Sequence, residues 1–304
     1  MKVYDCFTFY NEFELLELRL KSLYDVVDHF VIVEANRKHN GEPKDFTFPK
    51  RAEEFKEFWP KIRFINADLS KIPFKGVGDW SLENAQRNMI LRGIDDAQPD
   101  DLILISDLDE IPAPDIFQRL RENKVALMAP AVLPLTIANK GAIFPAQLLV
   151  SANYFLEFGA IVMDQKFLYY FFDRSNKPMW QGTILTKRKN LTMPQPFRDL
   201  RTSLPRVREG GYHFSWMGGV DRVITKATAV VEGNEAVVKF GKKSTDRKFV
   251  EEGIKNGTYV SGITDIPELQ AFPYDAREIN LPHIHDFLKK YPYFLLEPEK
   301  YFTN

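Results

Sequence analysis

The first hundred residues alternate between two kinds of segment. VYDCFTF (3–9), HFVIVE (29–34), IRFINA (62–67) and LILIS (102–106) are short apolar runs rich in β-branched and aromatic residues, and they read as strands. After the first, Phe13, Leu16, Leu20, Leu23 and Val27 recur every three or four residues. That spacing predicts an amphipathic helix over 12–26, with Asn11 and Glu14 as a variant capping box. A second helix is predicted over about 82–97, carrying Glu83, Gln86 and Arg87. Strands apolar on both faces and separated by helices imply an α/β fold, a mostly parallel sheet covered on both sides. Ligands of such sheets bind beyond the carboxyl ends of the strands. Glu34 and Asp107 fall at two such ends.

After Pro112 the pattern changes. VALMAPAVLPL (125–135), AQLLVSANYFLEF (146–158), KFLYYFF (166–172) and GTILTKR (182–188) predict strands of a mixed or antiparallel extension. A helix is predicted over 244–256, with Thr245 as its cap and Gly257 as its stop, and LPHIHDFLKKYPYFLLEP predicts a closing helix. No repeat, low-complexity tract or long linker interrupts the chain. The expectation is therefore one domain over 1–304, with parts at 1–112, 113–260 and 261–304 sharing a core.

Composition narrows the partners. With 44% hydrophobic and 27% charged residues the chain can bury a large core, and a net charge of −1 exerts no global pull on nucleic acid or anionic membrane. Any anion site must then be a local basic cluster. One cysteine, Cys6, allows no internal disulfide, and no 18-residue apolar run is present. A soluble protein of a reducing, cytoplasmic compartment, without an integral membrane segment, is the expectation.

The chemistry concentrates in SDLDEIP (106–112), where Asp107, Asp109 and Glu110 crowd the end of a buried strand. Asp107 and Asp109 are two apart, and just past the strand end a turn can bring both to one ligand. Hard divalent cations prefer carboxylate oxygens, so Mn2+ or Mg2+ would relieve the repulsion. The competing reading is a solvated acidic turn capping a helix that starts near Asp115. His213, in GGYHFSWMGG, is either a further metal ligand or a packed histidine. Arg198, Arg201, Arg206 and Arg208 form a basic run suited to phosphate, or a solvated loop. His283 and His285, two apart at a helix start, diverge. Lys187, Arg188 and Lys189 read as an exposed strand end, and Cys6 as core. Neither a GxGxxG nor a Walker loop occurs.

Five blocks in order resemble glycosyltransferase family 17. They are YDCFTFYNEFELLELRLKSLYDVVDHFVIVEA, the D-x-D-E-I-P stretch with its further Asp (Asp107 to Asp115), YYFFDRSNKPMWQG with TMPQPFR, GYHFSW, and LPHIHDFLKKYPYFLL. The resemblance implies a GT-A type fold, a Rossmann-like half joined to an acceptor half. It also implies metal-dependent, inverting transfer of a sugar from a UDP-sugar donor, UDP-GlcNAc, to a glycan acceptor. In that scheme Asp109, with Asp107 and His213, would hold Mn2+ or Mg2+. Arg87 and Arg198 would support the diphosphate, and Glu34 the ribose or base. The base that takes the acceptor proton would be Asp or Glu. Glu110 and Asp115 are the nearest in sequence, with Asp164, Asp199 and Asp265 also open. Two rivals are a haloacid-dehalogenase-like phosphohydrolase, which also places D-x-D at a strand end, and a non-catalytic glycan- or nucleotide-sugar-binding protein on the same fold.

Overall fold

The computed structural model describes residues 1–130, 147–231, 245–259 and 270–303. Its first half holds β1 (Val3–Phe9), α1 (Phe13–Leu23), β2 (His29–Ala35), the short α2 (Phe48–Arg51), β3 (Ile62–Ala67), α3 (Ser81–Asn88) and β4 (Leu102–Asp107). The strands lie in the order β3-β2-β1-β4, all parallel. Alternation along β1 and β4 explains the apolar runs. Phe7, Phe9, Leu102 and Leu104 pack on the face that carries Leu16 and Leu20 of α1. Tyr4, Cys6, Ile103 and Ile105 pack on the opposite face with Leu82 and Ile90. Because β2 and β4 flank β1 on opposite sides, the chain reverses its winding direction there. The carboxyl ends of β1 and β4 open a crevice at that point.

The second half holds β5 (Glu110–Pro112), α4 (Asp115–Arg121), β6 (Ala126–Pro130), β7 (Gln147–Ser151), α5 (Ala152–Phe158), β8 (Ala160–Tyr169), β9 (Arg174–Ser175) and β10 (Trp180–Lys187). It continues with α6 (Pro194–Asp199), β11 (Arg206–Val207), β12 (Gly211–Ser215), α7 (Val220–Ala229), α8 (Arg247–Asn256), β13 (Phe272–Pro273), α9 (Ile284–Lys290) and α10 (Pro298–Phe302). β10 runs antiparallel to β4 and β8 antiparallel to β10, so the parallel sheet continues as a mixed one. β12 runs parallel to β8 and antiparallel to β5, with His213 opposite Glu110. Gly211 makes that pairing possible. Its φ is +121°, and a Cβ there would lie 2.2 Å from the Ile111 carbonyl oxygen.

Several local expectations are corrected. Residues 152–158 form α5 rather than strand, because Ser151 caps it by accepting from the Asn153 N–H at 3.2 Å. The capping box at Asn11 does not form: Glu12 is the N-cap residue, and Glu14 pairs with Arg222 instead. The predicted 82–97 helix ends at Asn88 and tightens into a 3-10 turn over Met89–Gly93. Asp246, not Thr245, caps α8, accepting from the Phe249 N–H, while Gly257 ends it at φ +67°. Residues 131–135 of the predicted 125–135 strand lie outside the described residues. Among the described residues no helix is long and apolar enough to cross a membrane.

Candidate active site

β4 carries Asp107 to the crevice, a two-residue turn follows, and β5 starts at Glu110. The turn is held from beneath by Arg19 of α1. Its guanidinium donates to the carbonyls of Asp107, Leu108 and Glu110 at 3.0, 3.0 and 2.9 Å, and to Ser106 Oγ at 2.7 Å. Arg19 is itself fully buried and paired with both carboxylate oxygens of the equally buried Asp5 in β1.

The three acids have different surroundings. Asp107 accepts from Arg87 and Arg198, each at 2.8 Å, and from Thr8 Oγ1 at 3.2 Å. Burial alone would raise its pKa, but Arg198 and Arg87 outweigh it and hold the carboxyl well below the usual range. Glu110 is fully buried, chelated by Arg198 at 2.8 and 2.5 Å and capped by the Trp180 indole N–H at 2.6 Å. Asp109 lies in the turn. Its Oδ2 is 2.8 Å from Lys226 Nζ of α7, and its Oδ1 is 3.6 Å from His213 Nε2. The His213 ring packs against both Phe167 and Trp180, at centroid distances of 4.9 and 4.6 Å, in a three-ring cluster. Burial lowers its pKa despite Asp109 and Glu110 nearby, which favours the neutral, ligand-competent imidazole.

Asp107, Asp109, Phe167, Trp180, His213 and Lys226 border a cavity of about 430 Å³, a size suited to a small organic ligand. Thr8, Tyr10 and Glu12 enter from the end of β1, and Asp107 and Asp109 from the end of β4. Arg37, Lys38, His39 and Lys44 follow β2, and Phe167, Trp180, His213 and Lys226 come from the second half. The lining after β2 is therefore largely basic, and that from the second half is largely aromatic apart from Lys226.

Comparison with known proteins bears on this crevice. Residues 1–139 match glycosyltransferase family 17. Three curated relatives are each a β-1,4-mannosyl-glycoprotein 4-β-N-acetylglucosaminyltransferase. Those of Homo sapiens and Rattus norvegicus are 32% identical over 110 residues, and that of Mus musculus 31%. The alignment covers 34% of this chain and about a fifth of each relative's length. The stretch matched to family 17 contains β1 to β4 and the whole acidic turn. The later blocks that resemble the same family, including GYHFSW, lie beyond it.

The remaining sequence candidates sit as follows. Glu34 is fully buried and anchors the loop after β2 through Lys44 Nζ, the Thr47 N–H and hydroxyl, and the Phe48 N–H. Arg87 and Arg198 stand behind the acids, Arg87 also holding Glu83 and Gln195, and neither borders the cavity. Asp115 begins α4, away from the cavity, 3.5 Å from Arg119. Asp164 and Asp199 accept from Gln181 and Gln195 outside the cavity wall, and Asp265 lies outside the described residues. His283, at φ +63°, precedes α9, where His285 packs on Tyr301.

Sequence reasoning passed over Glu12, Arg19, Lys226 and the basic run Arg37–His39. The run had a signal, since three cationic or ionisable side chains begin two residues after the strand that ends at Ala35.

For a divalent metal, no set of three His, Cys, Asp or Glu side chains converges among the described residues. Asp109 Oδ1 and His213 Nε2 nevertheless give one hard oxygen and one neutral nitrogen on the cavity wall. That donor pair fits Mn2+ or Mg2+ when ligand phosphates supply further oxygens. Asp107 is committed to its two arginines.

Proposed function

We propose that the protein is a glycosyltransferase of GT-A type. It moves N-acetylglucosamine from UDP-GlcNAc to a glycan hydroxyl, with inversion at the anomeric carbon and with the help of Mn2+ or Mg2+. The observation that carries this reading is the acidic turn. It lies at the carboxyl end of β4, on a cavity at the point where strand winding reverses, within the stretch that matches family 17. The curated relatives' names supply the donor sugar.

In this reading the nucleotide lies toward Arg37, Lys38 and Lys44, and the transferred sugar toward the aromatic end. Asp109 and His213 hold the metal, which when bound offsets the charge that builds on the departing diphosphate. Arg87 and Arg198 fix Asp107, and Arg198 also fixes Glu110, so the turn presents Asp109 in one geometry. Inversion needs a base for the acceptor hydroxyl. Among the cavity's carboxylates, Asp107, Asp109 and Glu83 are ion-paired, whereas Glu12 has no ion-pair partner among the described residues. We assign the base role to Glu12. A cytoplasmic setting stays part of the proposal, resting on the single buried thiol of Cys6.

The test is a screen of nucleotide sugars for thermal stabilisation and for Mn2+-dependent hydrolysis. UDP-GlcNAc should raise the melting temperature and be hydrolysed slowly. A different effective donor would correct the sugar. Stabilisation without turnover, across acceptors, would favour the non-catalytic reading.

A further inference from the structure

The acidic turn is electrically closed by this chain's own side chains. Asp107 is paired with Arg87 and Arg198, Glu110 with Arg198, and Asp109 with Lys226. Arg87 is also shared with Glu83, and of these three cations Lys226 is the one on the cavity wall. It comes from α7, which follows the β12 strand of His213 through the Gly218–Gly219 turn, both glycines at positive φ. Trp216, between β12 and that turn in sequence, has its ring centroid 5.8 Å from the ammonium.

A divalent cation that shares Asp109 with Lys226 meets a like charge at its carboxylate ligand. A nucleoside diphosphate brings negative charge to offset that repulsion, together with oxygens that complete the coordination shell. Lys226 then has a new anion to face, because phosphate accepts from a lysine ammonium as readily as a carboxylate does. We propose that Lys226 is the resident counter-cation of Asp109, and that it makes metal uptake conditional on the nucleoside diphosphate, so that the two enter as one complex. This inference rests on the metal reading above and adds the order of loading and the residue that imposes it. Coupling of this kind is reciprocal: the factor by which the nucleotide tightens the metal equals the factor by which the metal tightens the nucleotide.

The experiment measures Mn2+ affinity of the full chain by electron paramagnetic resonance, with and without UDP, and UDP affinity by calorimetry, with and without Mn2+. In the wild type, UDP should tighten Mn2+ by about tenfold or more, with the matching effect on UDP. Lys226→Met should bind Mn2+ about tenfold more tightly than wild type in the absence of nucleotide, with a reduced UDP effect. Lys226→Arg, which keeps the charge, should behave as wild type. Lys226→Gln replaces the methionine variant if circular dichroism shows that variant unfolded. Wild-type Mn2+ affinity that is equal with and without UDP overturns the proposal whatever the variants do. Unchanged nucleotide-free Mn2+ affinity in the neutral variants overturns it while leaving the metal reading in place. Failure of the wild type to take up Mn2+ under any of these conditions overturns both.

Discussion

Arg19→Met tests whether the acidic turn is built from below. The methionine keeps most of the stem but removes six hydrogen bonds: two to Asp5, one to Ser106 and three to turn carbonyls. Asp5 would be left as a fully buried carboxylate without its cation, a loss of about 3–5 kcal/mol. Carbonyls left without a donor add to this, bringing the expected total to roughly 5–8 kcal/mol. Domains of this kind are stable by about 5–15 kcal/mol, so the variant should sit near its folding limit. Asp5→Leu combined with Arg19→Met should recover the larger part, because no unpaired charge then stays buried. Urea denaturation followed by circular dichroism reads both variants. An Arg19→Met variant within about 1 kcal/mol of wild type would refute the reasoning, as would a double variant no more stable than the single one.

Asp109→Asn should lower Mn2+-dependent hydrolysis of UDP-GlcNAc by about a hundredfold or more with the melting temperature nearly unchanged, and full activity in that variant would remove the core of the metal proposal. Glu12→Gln should reduce kcat by about 10²–10⁴-fold while calorimetric donor affinity holds; the opposite split, weak donor binding with intact kcat, would move Glu12 out of the base role. Burial pushes the Cys6 thiol well above its ordinary value, against Arg19 nearby, so an aromatic disulfide reagent should find it silent in the native protein and reactive after unfolding. The same shift fixes a sign. The contribution of Cys6 to stability is fully present below pH 9.0, the thiol's ordinary value, and is lost as pH rises, which urea midpoints between pH 8 and 10 will show.

How much was legible followed from the range of each interaction. β1 to β4 were readable because burial on both faces writes continuous apolar runs, and their carboxyl ends located the acidic turn. The different partners of its acids come from the turn after β4, since strand alternation alone would put Asp107 and Asp109 on one face. Asp107 ends the strand and turns toward two arginines, whereas Asp109, two residues on, faces the cavity and meets Lys226. A lysine on an amphipathic helix reads as a solvated residue, and nothing local to α7 names a partner 117 positions away. Arg19 was different. It sits on the apolar stripe of α1, between Leu16 and Leu23, and Asp5 lies within the apolar run of β1. Two opposite charges on facing buried surfaces carried enough information to be paired from the sequence. The helix at 152–158 was missed because a short aromatic run has no distinctive period and the decisive signal was a single serine cap.

The charge balance around the turn also has a consequence for how the chain is made. Arg198 lies 91 residues after Asp107 and 88 after Glu110, and Lys226 lies 117 after Asp109. During synthesis, β1 to β4 leave the ribosome with the acids of the turn facing Arg87 alone among these three cations. Burying Glu110 at that stage would strand a charge in the core, so the end of β4 keeps its water until β10, α6 and α7 have emerged. The crevice is therefore among the last parts of the sheet that can close. A chain stopped short of Lys226 would carry the acidic turn on a surface that has not yet become a site.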